Sequence, residues 1–387
     1  MKSMNSLTVG FEGRNAVSNM TGLGNYSRRV ADVLSQAHPD WRFRLYAPEA
    51  PDNPRLTPIL ERDNMTLCVP TAPLWRRFKG LWRIAGGLTS SIRHDKVDIF
   101  HGLSNELPLD IRRTGIPSVV TVHDLIPSRY SSAPLSSDRT LYNFKVRHAV
   151  KNATRIIAVS QCTKRDIVEI FDIDPAKIDV VYQCCDPMFA QPVPPETVLQ
   201  ARRRYKIAGR YILTVGTVEE RKNQLLAIRA LPHLPHDMKL VIVGRRTKEY
   251  AEVCDREIDA LGLGKRVIWL EKVGMRSLVP LYAGAALSSY TSRYEGFGLP
   301  VIESITCGKP VIAATGSCLE EAGGPGAVYV SPDDVEGYVS TAREMLTDPI
   351  LYADLVSAGR HYAARFTQEA FAEGITATYA RALGETV

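Results

Sequence analysis

Short apolar runs, separated by polar loops and helix-period stretches, recur from one end of this chain to the other. The first covers residues 7–11 and is strand-like; the segment after it ends TGLGNYSRRVADVL, in which Val30, Val33 and Leu34 fall at helical spacing. That is a strand, a loop and a helix. The pattern returns at residues 43–49, 97–102, 117–124, 155–160 and 177–182. Strands that alternate with helices predict an α/β fold whose sheet is mostly parallel, with helices on both faces.

The alternation is interrupted at DPMFAQPVPPETV, residues 186–198. Proline disfavours both helix interiors and central strands, so this is the candidate linker. Beyond it the alternation restarts, with runs at residues 211–216, 238–244, 266–270, 285–290, 310–314 and 327–332. Two separate sheets are predicted. Neither an internal repeat nor a low-complexity tract is visible.

At 387 residues, with 45% hydrophobic and 23% charged, the chain has the composition of soluble globular protein and the length of two domains, each large enough to bury a core. No apolar run approaches the roughly 18 residues of a membrane helix. The start, MKSMNSLTVGF, lacks the apolar stretch and small-residue cleavage site of a secretory signal, so a cytoplasmic protein is expected. The seven cysteines form an odd set with no CxxC and no His/Cys cluster at zinc spacing; reduced thiols and no metal site are expected. A formal net charge of +6 is modest for this length and would suit a polyanionic or membrane-surface partner only where it is locally clustered.

Open α/β sheets bind ligands beyond the carboxyl ends of their strands, which directs attention to residues just after each apolar run. The strongest signal is YEGFGLPVIESITCGKPVIAA, residues 294–314. Gly296 and Gly298 permit a tight turn and close approach of a ligand, and Pro300 suits the first position of a following helix. Such a helix start offers unpaired N–H groups and a positive dipole end to a phosphate. Glu295 precedes the turn and Glu303 is expected in the first turn of the helix, so the two carboxylates can address different parts of one elongated ligand. A helix start with two solvated acids is the competing reading.

With this motif the chain resembles the retaining glycosyltransferases of the GT-B fold, in the large family-four group that includes bacterial mannosyltransferases. The resemblance rests on the E-x7-E pattern of EGFGLPVIE and extends over nearly the whole chain. It implies two Rossmann-like domains with parallel sheets facing a central cleft. An acceptor-binding domain is expected at residues 1–190, a nucleotide-sugar domain at 198–365, and a terminal helix at 366–387 that crosses back to the first domain. By the same resemblance Glu295 contacts the donor sugar and Glu303 the ribose, while backbone amides around Phe297, Gly298 and Leu299 meet the sugar and diphosphate.

A second motif, TVGTVEERKNQLLAIRAL, sets Arg221 and Lys222 in the loop after a strand ending at Gly216. Adjacent cations there can neutralise a leaving diphosphate. The family's E-x-R-K-N form is matched here by Glu220, Arg221, Lys222 and Asn223. Gly244, closing VIVG, and Val273, closing WLEKV, correspond to segments that enclose the nucleotide base. The sequence departs from the family in carrying Glu271 where glycine is usual, so the base is left open; GDP-mannose is the expected donor ahead of a UDP-sugar.

In the first half, TGLGNY resembles the family's glycine loop, which puts Gly22 and Gly24 toward the diphosphate and Asn25 and Tyr26 toward the acceptor. TVHDLIPSRYS, residues 121–131, sets His123 and Asp124 directly after an apolar run; the family places this histidine near the reacting sugar, whereas a lone histidine at a strand end is otherwise structural. VDIFHGLSNELP, residues 97–108, offers His101, Ser104 and Asn105 to an acceptor. One further feature lies outside the family motifs. PLWRRFKGLWRIAGGL sets Trp75, Phe78, Leu81, Trp82 and Ala85 at helical spacing among Arg76, Arg77, Lys79 and Arg83, with no acid between. Such a stripe either lies in an anionic membrane interface, making the protein peripheral at the inner face, or packs on the first sheet with its cations solvated.

The expected reaction transfers a hexosyl, in particular a mannosyl, group from a nucleotide sugar to a glycan or polyprenyl-diphosphate-linked acceptor with retention, in surface polysaccharide synthesis. It needs no cofactor, no metal and no nucleic acid, and the sequence leaves the oligomeric state open. A catalytically silent glycan- or nucleotide-binding subunit is the rival from another class. An oxidoreductase would need GxGxxG after the first strand, and TGLGNY supplies only its first two glycines.

Overall fold

The computed structural model describes residues 4, 6–50, 53–84, 86–129 and 137–385. Ala85 of the aromatic stripe, and Tyr130 and Ser131 of the histidine motif, lie outside them. The chain divides into two compact units, 1–183 with 368–387, and 184–367.

The first unit holds a seven-stranded parallel sheet: β1 (Thr8–Glu12), β2 (Arg42–Tyr46), β3 (Met65–Cys68), β4 (Ile99–Gly102), β5 (Ser118–Val122), β6 (Arg155–Ala158) and β7 (Ile178–Val180), in the order β3-β2-β1-β4-β5-β6-β7. The second holds β8 (Tyr211–Val215), β9 (Lys239–Val243), β10 (Val267–Leu270), β11 (Leu287–Tyr290), β12 (Val311–Ala314) and β13 (Ala327–Val330), ordered β10-β9-β8-β11-β12-β13 and again parallel. Both are Rossmann-like, doubly wound sheets. In each, the strand order reverses beside its first strand, at β1/β4 and at β8/β11, which is where such sheets take ligands.

Burial follows strand position. Central β4, β5, β11 and β12 are buried at every residue, because helices cover both faces. Edge strands β3, β7 and β10 each bury only their first residue fully. Of these, β3 is the strand that the sequence pattern does not announce: MTLC is too short and too exposed to stand out as an apolar run.

One expectation about organisation changes. The proline-rich residues 186–198 fall inside the second unit, and the division lies earlier, between Gln183 and Cys184. Phe189, in the 3-10 turn Pro187–Ala190, is buried and meets Tyr282 edge-on at 5.7 Å, while the Cys185 N–H donates to Phe366 O at 2.9 Å. These anchors, absent from a proline count, tie the segment to the second core. The terminal helix Gln368–Leu383 is part of the first unit. Its Tyr379 hydroxyl meets His101 Nδ1 at 2.7 Å, and Thr376 Oγ1 meets His38 Nε2 at 2.8 Å.

Candidate active site

At the β8/β11 switch point four polar side chains converge. Lys222 Nζ lies 2.5 Å from Glu295 Oε1, Arg221 Nη1 at 2.9 Å from the same oxygen, and the Tyr290 hydroxyl at 3.1 Å. Lys222 Nζ also reaches the Tyr290 hydroxyl at 2.6 Å. Glu295 is 8% exposed. Burial by itself would push its carboxyl up, but Lys222 and Arg221 outweigh that and hold it below the usual range. Lys222 responds in the same way: burial disfavours its charge, while Tyr290 and Glu295 raise its pKa. The carboxylate and both cations are therefore charged at neutral pH, in surroundings where Coulomb energies far exceed those in water.

The backbone fixes this cluster. Arg221 donates to Tyr294 O at 2.6 Å, its carbonyl accepts the Arg293 N–H at 2.8 Å, and its Nη2 meets Glu219 at 2.5 Å. Asn223, at φ +55° and buried, donates to Pro332 O at 2.7 Å and accepts at its carbonyl from Thr291 Oγ1 at 3.0 Å. It thus locks the cationic loop to the end of β11. Gly216 and Gly244 pack backbone against backbone: a Cβ on Gly244 would lie 1.9 Å from Gly216 O. No side chain fits there.

The helix Leu299–Thr306 starts from Gly298, whose φ of +119° and packing against Leu319 and Ala322 (2.9 and 3.2 Å from a Cβ at that position) admit glycine alone. Pro300 occupies its first turn as expected. Glu303 does not: it lies a turn further in, because the helix begins at Leu299. It is half-buried, and its Oε2 accepts the Tyr282 hydroxyl at 3.0 Å. Burial pushes its carboxyl up to about 7, Asp186 adds to the rise and the Tyr282 hydrogen bond opposes it. Phe297 is buried, and Cys318 Sγ lies 3.2 Å from Glu295 O and 2.8 Å from Phe297 O, bracing the turn from beneath. All seven cysteines are free thiols. Val273 is partly buried in the loop after β10, and Arg246 stacks over Trp269 of that strand at 4.6 Å.

In the first unit the candidates separate into two kinds. His123 is buried, and its Nε2 donates to Leu103 O at 2.8 Å, which leaves Nδ1 as the lone-pair nitrogen. Burial lowers its pKa to about 4, so the ring is neutral at pH 7. Around it several predicted ligand contacts turn out to be supports. Tyr26 is buried edge-on to His123 at 4.4 Å with its hydroxyl 3.0 Å from Thr121 Oγ1, so it does not face an acceptor. Asn105 accepts the His123 N–H at 2.9 Å and donates to Tyr142 OH at 3.0 Å. Ser104 accepts from Asn15 at 2.5 Å. His101 is fully buried between Tyr379 and Thr121, with both ring nitrogens engaged, and is structural.

TGLGNY opens a helix rather than a free loop: Gly22–Ala37 begins there with Thr21 as N-cap. A Cβ on Gly24 would lie 1.7 Å from Asn19 O, which explains that glycine by packing. Asn25 Oδ1 accepts from Arg28 at 2.7 Å. The aromatic stripe breaks at Phe78 into the short helices Pro73–Arg77 and Lys79–Ile84. Trp82 enters the core and Trp75 packs against it, whereas Arg76, Arg77 and Lys79 are exposed.

Sequence reasoning missed Tyr290, Tyr282, Asn223 as a positioning residue, and Cys318. Tyr290 had the available signal, as the last residue of an apolar run, and Asn223 stood in the E-x-R-K-N motif; Tyr282 and Cys318 reach the site only through packing.

Comparison with known proteins fits this geometry. The family described as Glycosyltransferase Family 4 matches residues 20–189, and Glycosyl transferases group 1 matches residues 201–362. The chain is 26% identical to O-antigen chain mannosyltransferase B of Escherichia coli over 355 residues, 85% of this chain and 88% of the relative. It is 28% identical to O-antigen chain mannosyltransferase RfbU of Salmonella typhimurium over 64% of this chain and 65% of that one. The crystal structure of Anabaena HepE in complex with UDP and glucose matches with a TM-score of 0.76 at 18% identity, covering 97% of this chain and 100% of that one.

Proposed function

Because this chain belongs to family four of the GT-B glycosyltransferases, and so is an enzyme that transfers sugar from a nucleotide sugar, we propose that it moves a mannosyl group from GDP-mannose, with retention, to a glycan or polyprenyl-diphosphate-linked acceptor in surface polysaccharide synthesis. The observation that carries this reading is the buried Glu295–Lys222–Arg221 cluster at the switch point, next to the start of the helix Leu299–Thr306.

The bond from the sugar C1 to the diphosphate oxygen breaks, and the acceptor oxygen bonds to C1 on the same face, its proton passing to the departing diphosphate. Arg221, Lys222 and the amides at the helix start stabilise the charge that develops on that diphosphate. Glu295, fixed by the same two cations, accepts hydroxyls of the donor sugar, and Glu303 those of the ribose. His123, held neutral, presents Nδ1 to a substrate hydroxyl. Mannose as the transferred sugar is supported by the names of the two O-antigen relatives.

A screen of nucleotide sugars tests the proposal, reading thermal stabilisation, nucleoside diphosphate release and product anomer by NMR. GDP-mannose is expected to stabilise the protein and to give an α-linked product from the α-linked donor. Preference for a UDP-sugar would overturn the donor assignment and an inverted product the retaining course. Turnover of no donor with any lipid-linked acceptor would favour a silent binding subunit.

A further inference from the structure

We propose that the first unit carries a docking surface for an anionic lipid bilayer, assembled from three chain segments rather than from the aromatic stripe that the sequence displays. This deepens the lipid-linked acceptor reading above and rests on it for its purpose, although not for its geometry.

The stripe divides in two. Trp75 and Trp82 turn inward onto Gly87, where a Cβ would lie 3.1 Å from the one and 2.2 Å from the other. Leu74, Phe78 and Leu81, spaced by four and three residues, remain outside at 59%, 48% and 53% exposure. The fold then adds neighbours. Glu106 accepts Arg83 Nη1 at 2.5 Å on one oxygen and Lys145 Nζ at 3.2 Å on the other, tying the helix Lys79–Ile84 to the helix Ser137–Asn152. On the latter, Leu141, Phe144, Lys145 and His148 share one face, and His148 Nε2 meets Pro108 O at 3.2 Å. Leu141 and Phe144 are exposed. The Leu109 N–H donates to Ile84 O at 2.8 Å, which sets exposed Leu109 beside the first segment. Six of the thirteen exposed large apolar side chains among the described residues thus belong to three joined segments, a concentration that calls for a partner.

Charge selects that partner. Arg76 and Arg77 are exposed beside Phe78, with Arg77 5.9 Å from its ring, and Arg112 and Arg113 stand exposed beyond Leu109. Of the nearby acids Glu106 is paired with Arg83 and Lys145, while Asp110 accepts from two uncharged donors, Thr89 Oγ1 at 2.7 Å and the Gly86 N–H at 3.0 Å. Lys79 pairs with Glu49 in the open, a contact of little strength. Exposed apolar side chains beside four exposed arginines suit the headgroup level of an anionic membrane. Among the described residues no helix is long and apolar enough to cross one, so the encounter is at the surface.

Sedimentation with vesicles of phosphatidylcholine containing phosphatidylglycerol, against phosphatidylcholine alone, tests this without donor or acceptor. Wild type is expected to bind the anionic vesicles and to be released by salt. Arg76→Ser with Arg77→Ser should weaken binding about 30-fold, at roughly fivefold per cation near such a surface. Phe78→Ser with Leu81→Ser should abolish it at unchanged melting temperature and unchanged nucleotide-sugar hydrolysis. If the apolar pair fails to fold, the exposed arginine pair carries the test. No binding by wild type, or unchanged binding by the arginine pair, would overturn the proposal. So would a dimer that the apolar pair dissociates, since a second copy would then cover the patch. Failure of donor turnover with vesicle binding intact would sink the mannosyltransferase reading and leave this surface standing.

Discussion

The two units share a doubly wound strand order and furnish the carboxyl ends of their sheets with opposite chemistry. Beyond β8 and β11 stand a carboxylate and two cations, buried and converging on one oxygen. In the first unit His101 and Thr121, inside β4 and β5, hydrogen-bond Tyr379 of the terminal helix and Tyr26 of the helix Gly22–Ala37 in a neutral network. One topology thus carries a charged cluster after its strands in one unit and a neutral network that seals the core in the other. A sheet edge determines where a site can form, and the side chains determine whether one does.

The largest expected effect that sharpens this contrast comes from Lys222→Ala, which removes a cation from the diphosphate and leaves Glu295 buried with less compensation. Turnover should fall on the order of 100- to 1,000-fold, and stability by about 3–5 kcal/mol. Glu295→Gln should lower turnover comparably with a smaller loss of stability. Steady-state kinetics beside thermal melts separates the two, and full activity in either variant would mean that the charged cluster is only structural.

In the first unit Tyr379→Phe should cost about 1–3 kcal/mol, because it strips a hydrogen bond from a buried imidazole. Nucleotide-sugar affinity should not change. Denaturant unfolding and donor titration check both halves, and a change in donor affinity would contradict the division of labour.

The smallest effect is a difference in pH response. Burial, and to a lesser degree their mutual repulsion, lowers His101 to about 3; burial lowers His123 to about 4. The unfolded chain therefore binds more protons at these sites, and the first unit loses stability as pH falls from about 6.5 toward 4. Glu303 has the opposite sign. Its folded carboxyl at about 7 favours the protonated form, so its contribution grows as pH falls from about 7 toward 4.5. Hydrogen exchange at pH 7 and pH 5 should show β4 and β5 opening more readily in acid, with the helix Leu299–Thr306 holding or tightening. Parallel behaviour of the two regions would argue against the neutral-versus-charged distinction. Should Glu303 hold the ribose as a carboxylate, donor affinity should also rise with pH through about 7 in wild type and be flat in Glu303→Gln.

The sequence by itself determined the alternation of strands and helices, because fully buried parallel strands read as apolar runs, and of the strands among the described residues it missed only β3, at an exposed edge. It also determined which residues follow β8 and β11, since Arg221, Lys222, Glu295 and the Gly298 turn sit in short local motifs that backbone geometry demands. What only the tertiary structure decided concerns direction and partnership. Tyr26, Ser104 and Asn105 carry polar groups that look available to a ligand along the chain and are spent on neighbours 18 to 95 residues away. Trp75 and Trp82 share helical spacing with Phe78 and Leu81, yet a break at Phe78 and the missing side chain of Gly87 turn the tryptophans inward. Periodicity specifies a face; only packing specifies what that face meets.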